Sequence, residues 1–187
     1  MRRLLVATCL LAACATTSDT QRLRPLHWAQ PVLGSDTDNL YQVSADLYRG
    51  AQPSAKAMRS LEEFGIRSVV NLREYHSDSR AAASTKLALI EVPLDAGDLT
   101  YRGLVAALHA VVAAPKPAIV HCWHGSDRTG AVVAAWRVAV DDWMPSEALD
   151  EMVAGGFGHS EVFENLRTLI AGLDPVQLRA DVGLPAR

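Results

Sequence analysis

Two side chains six positions apart carry the most reactive chemistry in this sequence. In residues 121–130, HCWHGSDRTG, the thiol of Cys122 and the guanidinium of Arg128 bracket a short polar stretch with Gly125 midway. The flanking runs, KPAIV before and AVVAAWRVAV after, are apolar and read as a strand and a helix. A loop leading from a strand into a helix N-terminus presents backbone N–H groups that have no partner inside the helix. Those donors, with the positive end of the helix dipole, suit an anion of tetrahedrally arranged oxygens. Gly125 permits backbone torsions that a Cβ resists. Arg128 adds a planar fork that grips a pair of phosphate oxygens in a way lysine cannot. The same field lowers the pKa of a thiol and populates the nucleophilic thiolate. A thiolate beneath a bound phosphoryl group is placed for in-line attack.

With its context, the run His121-Cys122-Trp123-His124-Gly125-Ser126-Asp127-Arg128-Thr129-Gly130 resembles the signature of cysteine-dependent protein tyrosine and dual-specificity phosphatases. Upstream, LYRGAQPS (47–54) and FGIRSVVNLRE (64–74) resemble the start of compact bacterial and atypical dual-specificity phosphatases, so that residues 40–172 fit the family. The resemblance implies a phosphocysteine on Cys122 and phosphoryl binding by Arg128. It implies that Thr129 hydrogen-bonds the sulfur and that His121 supports the loop and the low thiol pKa from behind. Backbone N–H groups of Trp123, His124, Gly125, Ser126 and Asp127 would face the phosphate. No metal or organic cofactor is implied, and the substrate would be a phosphorylated protein or a small phosphate ester.

The general acid of that family is an aspartate on a loop before the long helix preceding the signature. In EVPLDAGDLTYRG (91–103), Asp95 lies 27 and Asp98 lies 24 residues before Cys122. Asp95 is favoured because it follows the apolar pair Pro93-Leu94, as in many dual-specificity relatives. Asp127 departs from the commonest pattern of the signature and is a third candidate. A carboxylate that close repels phosphate unless it turns away or is protonated. Two other function classes stay open: a catalytically silent module that binds phosphorylated ligands, and a rhodanese-like sulfurtransferase, which Thr129-Gly130 and the acid loop oppose. Cys122, His121, His124 and Asp127 lack a second Cys/His pair with ligand spacing, which argues against a metal site.

The elements that must hold this loop alternate between strand and helix. LYQVSADLYRG (40–50) reads as a hairpin; Ser54 caps a helix to Phe64 that Gly65 ends; IRSVVNL (66–72) is a buried strand. SRAAASTKLALI (79–90) reads as a helix and IEVPL (90–94) as a short strand ending at Pro93. Thr100 caps a helix to Pro115, AIVH (118–121) is the central strand, and the helix after the loop runs through Val140. Ser146 opens a helix ended by Gly155-Gly156, residues 160–173 form the last long helix, and 174–184 are a tail. The fold class is therefore α/β, a central mostly parallel sheet flanked by helices, whose ligand site lies beyond the carboxyl ends of the strands. Arg49 and Arg73 read either as site residues or as structural ion pairs; His27, His76, His109 and His159 as surface or packing residues; Trp136 and Trp143 as core.

The N-terminus carries a different signal. MRRLLVATCLLAAC (1–14) has two arginines, then an apolar run too short to span a bilayer, and resembles a bacterial lipoprotein signal with Cys14 as the lipidated residue. An ordinary cleaved secretory signal is the alternative. Ala15 after the cysteine resembles lipoproteins sorted to the outer membrane, facing the periplasm. The expected organisation is a signal over 1–13, a polar tether over 14–39 and a phosphatase domain over 40–187. Cys122 would then be the sole free thiol of the mature chain, in an oxidising compartment where a lone thiol needs a function. A net charge of −3 with 21% charged residues gives no reason to expect nucleic acid, and a monomer is expected.

Overall fold

In the computed structural model the structure describes residues 24–186. A six-stranded sheet runs in the order β1 (Gln30–Pro31), β2 (Tyr41–Gln42), β3 (Leu47–Gly50), β6 (Ala118–His121), β4 (Ser68–Asn71), β5 (Ala88–Glu91). The four strands from β3 to β5 pair parallel, and β1 and β2 add an antiparallel edge. The expected α/β class with a mostly parallel sheet is therefore the fold observed. Period-2 alternation sorts the strand residues between faces. Leu47, Val70 and Val120 enter the larger core, Tyr48, Val69 and Ile119 the smaller one.

Helix α1 (Ala55–Phe64) covers the smaller core with Met58 and Leu61. Ser54 Oγ caps it by accepting from Ala57 N, and Gly65 at φ 104° ends it, as its sequence requires. The other face carries α2 (Tyr101–Ala113), α3 (Asp127–Ala139), α4 (Pro145–Ala154), α5 (Glu164–Ala171) and α6 (Pro175–Asp181). Thr100 caps α2, which buries Leu104, Ala107, Leu108 and Val111 at helical spacing. Helix α3 is buried almost throughout, in keeping with its apolar sequence. Its buried cation, Arg137, is held by Glu151 at 2.8 and 2.9 Å and by Asp141 at 2.9 Å.

Four expectations are corrected. Residues 24–39 are folded onto the domain rather than forming a tether: Ala29 is fully buried, its N–H donates to Glu151, and β1 pairs with β2. Arg24 stacks over Tyr41 and Phe157 and donates to the Gly155 carbonyl. Residues 79–86 make turns instead of a helix, since their alanines offer no apolar stripe and Leu87 to Ile90 lead into or belong to β5, beside β4. The final long helix begins only at Glu164, because Ser160 N donates to Asp127 Oδ1 and the chain before α5 is bent toward the loop. The tail contains α6, whose start at Asp174-Pro175 combines a capping carboxylate with proline at the first helical position. Residues 1–23, with the expected signal and Cys14, lie outside the described residues.

Candidate active site

Strand β6 ends at His121 and α3 starts at Asp127, so residues 122–126 form the loop between them, beyond the carboxyl ends of the parallel strands. Their five carbonyls are each taken by a donor from outside the oxyanion side of the loop. Cys122 O contacts His121 Nδ1 at 2.9 Å, Trp123 O accepts from Gln52 N at 3.0 Å, and His124 O accepts from Asn39 Nδ2 at 2.8 Å. Gly125 O accepts from Arg49 at 2.8 Å, and Ser126 O accepts from Gly130 N at 2.7 Å. In a trans peptide the N–H points opposite to the C=O. Holding the carbonyls therefore turns the N–H groups of the following residues toward the other side. Ser126 supplies no side-chain cap to α3, because its hydroxyl donates to Phe157 O at 2.7 Å. The first N–H groups of the helix are thus left to the site.

Arg49 settles one of the open readings. It is fully buried under the loop, stacks 3.6 Å above the Phe157 ring and makes no carboxylate ion pair among the described residues. Burial lowers its pKa to about 10, with nearby Glu151 and Cys122 opposing that shift. Gly125 has φ 73°, and a Cβ there would stand 2.4 Å from the Gly50 carbonyl. Gly125→Ala should therefore lower stability by about 2 kcal/mol or more, read as a denaturant midpoint moved down. Unchanged stability would mean that the loop can rise off Gly50.

Cys122 is buried, and it is the one cysteine among the described residues. Burial alone pushes its thiol up, yet the net displacement is downward. The Thr129 hydroxyl, the Thr129 amide, the Arg128 charge and the Gly125 amide all favour the thiolate and together prevail. His121 is fully buried behind the loop, with Nε2 2.7 Å from Asp78 Oδ2. Arg128 is partly buried and donates to Leu94 O at 3.2 Å. A cavity of about 340 Å³ opens over the loop, lined by Ala96, Cys122, Trp123, His124, Asp127, Arg128 and Phe163.

The three candidate acids are placed differently. Asp95 is exposed between two anchored residues: Leu94 O is held by Arg128, and Ala96 O accepts from Asn165 Nδ2 at 2.8 Å. Its Oδ1 accepts from Gly97 N at 2.8 Å, which fixes the turn. Asp98 is exposed further along, next to the start of α2; neither it nor Asp95 is among the residues lining the cavity, although Ala96 beside Asp95 is. Asp127 does line it, but its Oδ1 is occupied by Ser160 N at 2.8 Å and lies 3.0 Å from His159 Nδ1. The side chain of His159 is buried, not at the surface, and burial lowers its pKa while Asp127 opposes that shift. Arg73 stacks on Trp123 at 4.0 Å and donates to Gln52 Oε1. Sequence reasoning missed Asn39, Gln52 and Asp78, which reach the loop from outside the signature.

A buried cysteine whose surroundings favour the thiolate, an arginine fork and an inward-turned set of amides at a strand-to-helix turn define a cysteine-dependent phosphatase. A family model described as "DSP-PTPase phosphatase fused to NAD+ Kinase" matches residues 27–165, and the chain belongs to that phosphatase family. The dual specificity protein phosphatase TpbA of Pseudomonas aeruginosa is 31% identical over 173 residues, covering 91% of this chain and 78% of the relative. Its crystal structure covers 85% of this chain and 98% of its own at a TM-score of 0.77 and 30% identity. A cysteine-to-serine form of TpbA in complex with pTyr has a TM-score of 0.76 at 29% identity, with the same coverage. The catalytic core of the PP-IP phosphatase SIW14 from S. cerevisiae shares the fold at a TM-score of 0.65 and 21% identity, over 77% of this chain and 90% of that one. The protein is a phosphomonoester hydrolase acting through a cysteine nucleophile. The silent-module and sulfurtransferase readings are set aside.

Proposed function

We propose that this phosphatase hydrolyses phosphotyrosine on protein, with Asp95 as general acid and Arg128 as the phosphoryl clamp. The observation that carries the substrate class is that Phe163 and Trp123 line the same cavity as Cys122 and Arg128. Aromatic walls flank a phenyl ring well and give an alkyl phosphate much less to contact. Similarity to TpbA, solved with pTyr, supports the same choice. Cys122 Sγ attacks phosphorus as the P–O bond to the leaving oxygen breaks, and Asp95 delivers a proton to that oxygen. Water then attacks the phosphocysteine, the S–P bond breaks, and Asp95 takes the water's proton. Thr129 beside the sulfur stabilises the departing thiolate.

The test is kcat/KM for matched phosphotyrosine, phosphoserine and phosphothreonine peptides. Phosphotyrosine should lead by about a hundredfold, and Phe163→Ala should reduce that lead by about tenfold, the scale of a lost aromatic contact. Equal rates on all three peptides would overturn the substrate assignment.

The proposal includes cleavage before Cys14 and lipid anchoring of that residue in the envelope, facing the periplasm. The support is the arginine-apolar-Leu-Ala-Ala-Cys run of residues 2–14. Among the described residues no helix is long and apolar enough to cross a membrane. Labelled fatty acid should enter the full-length chain in a bacterial host and be lost in Cys14→Ser. Equal labelling of both, or of neither, would overturn the anchor.

A further inference from the structure

We infer that Asp78 is a positioning residue for the nucleophile, acting through His121 as the buried partner of a proton shared behind the catalytic loop. This rests on Cys122 being the nucleophile, and it assigns a role to a side chain outside the signature. His121 and Asp78 are both buried to within 1% of full burial, and His121 Nε2 stands 2.7 Å from Asp78 Oδ2. The other ring nitrogen, Nδ1, is 2.9 Å from the Cys122 carbonyl. A carbonyl only accepts, so Nδ1 carries a hydrogen. The proton between Nε2 and Asp78 then either stays on the ring, making an imidazolium–carboxylate pair, or passes to the carboxylate.

In the first arrangement the positive end of the pair lies against the Cys122 backbone and the negative end on the far side of the ring. That dipole favours the thiolate, and a low-dielectric site strengthens it. The other Asp78 oxygen is 3.6 Å from His76 Nε2, and His76 in turn contacts Gln52, the residue that holds the Trp123 carbonyl. Asp78 thus joins the back of the loop to its rim. The charged and titratable groups packed around Cys122 are Arg49 from β3, Arg73, His76 and Asp78 from the segment after β4, His124 from the loop, and Asp127 and Arg128 from α3. None of these but Asp78 contacts the His121 ring at hydrogen-bond distance.

Asp78→Asn separates charge from shape, because an amide can still donate to Nε2 of a neutral ring. The readout is the rate of Cys122 alkylation by iodoacetamide, which needs no substrate. Alkylation at pH 6 should slow about tenfold while the rate at pH 9, where the thiolate is formed regardless, stays within about twofold. The acid limb of kcat/KM for an aryl phosphate should move to higher pH in step, and Asp78→Glu should restore both. Equal slowing at pH 6 and pH 9, or none at either, would overturn the proposal. Unchanged alkylation with lost turnover would overturn it too, whereas failure of the phosphotyrosine assignment would leave the alkylation result intact. Should Asp78→Asn not fold, the unsubstituted protein still decides. A strongly downfield, exchange-protected His121 Nε2 proton in its NMR spectrum is expected, and its absence counts against the shared proton.

Discussion

Cys122→Ser is expected to lower kcat by about ten-thousandfold or more while tungstate or inorganic phosphate binds within about threefold of the unsubstituted affinity. The two halves of that result come from different atoms. Attack on phosphorus requires an ionised nucleophile, and the factors that favour the thiolate act on sulfur: the Thr129 hydroxyl, two amides and Arg128 outweigh burial. A hydroxyl in the same place starts far higher and remains protonated. Oxyanion binding depends instead on amides whose direction is fixed from behind by His121, Gln52, Asn39, Arg49 and Gly130. None of these contacts involves Sγ. Single-turnover assays and calorimetric titration separate the two quantities. Retained turnover would remove Cys122 as nucleophile; lost anion binding with an intact fold would mean that the sulfur, not the braced backbone, organises the site.

The loop was legible in the sequence because its chemistry is local. Cysteine, glycine and arginine at fixed offsets, between a β-branched run and an apolar helix, restrict what the backbone between them can do. The sheet was legible for the same reason: Val69-Val70 and Ile119-Val120 announce buried strands by run and by alternation. What holds the loop was not legible. Asn39, Arg49, Gln52 and Asp78 come from separate segments far along the chain, and no periodicity marks a residue whose partner is tens of positions away, 43 for Asp78 and His121 and 76 for Arg49 and Gly125. Asp78 lies in HSDSR, which composition alone reads as a solvated turn. The polar run before residue 40 hid a folded segment because Ala29 and Arg24 gain their anchors only from Glu151, Tyr41 and Phe157. Helix α6, by contrast, had a readable start in Asp174-Pro175 that the tail reading passed over.

Asp95→Asn should slow phenyl or alkyl phosphate hydrolysis by about a hundredfold, the usual contribution of a positioned general acid. The effect should shrink toward severalfold as the leaving group becomes a better one, because an oxygen of low basicity departs without a proton. The anchoring of its neighbours supports the proposal that this residue is the donor. Leu94 on one side is latched to Arg128, and Ala96 on the other lines the cavity and is tied to Asn165, so the backbone that carries Asp95 is anchored at the rim of the cavity. Its Oδ1 secures the turn through Gly97 N, which leaves Oδ2 for the leaving oxygen. Asp127 also has Oδ1 committed, to Ser160 N, but it has His159 Nδ1 alongside at 3.0 Å and lies next to Arg128 in the loop's helix, so Asp127→Asn should mainly alter phosphate affinity. Asp98→Asn should do neither. Loss of the acid should also abolish the alkaline limb of kcat/KM, since that limb reports departure of the donated proton. The measurement is kcat/KM for each variant across aryl phosphates of graded leaving-group basicity. If Asp95→Asn leaves the dependence on leaving group as steep as before, while Asp98→Asn or Asp127→Asn steepens it, the proton comes from that residue instead.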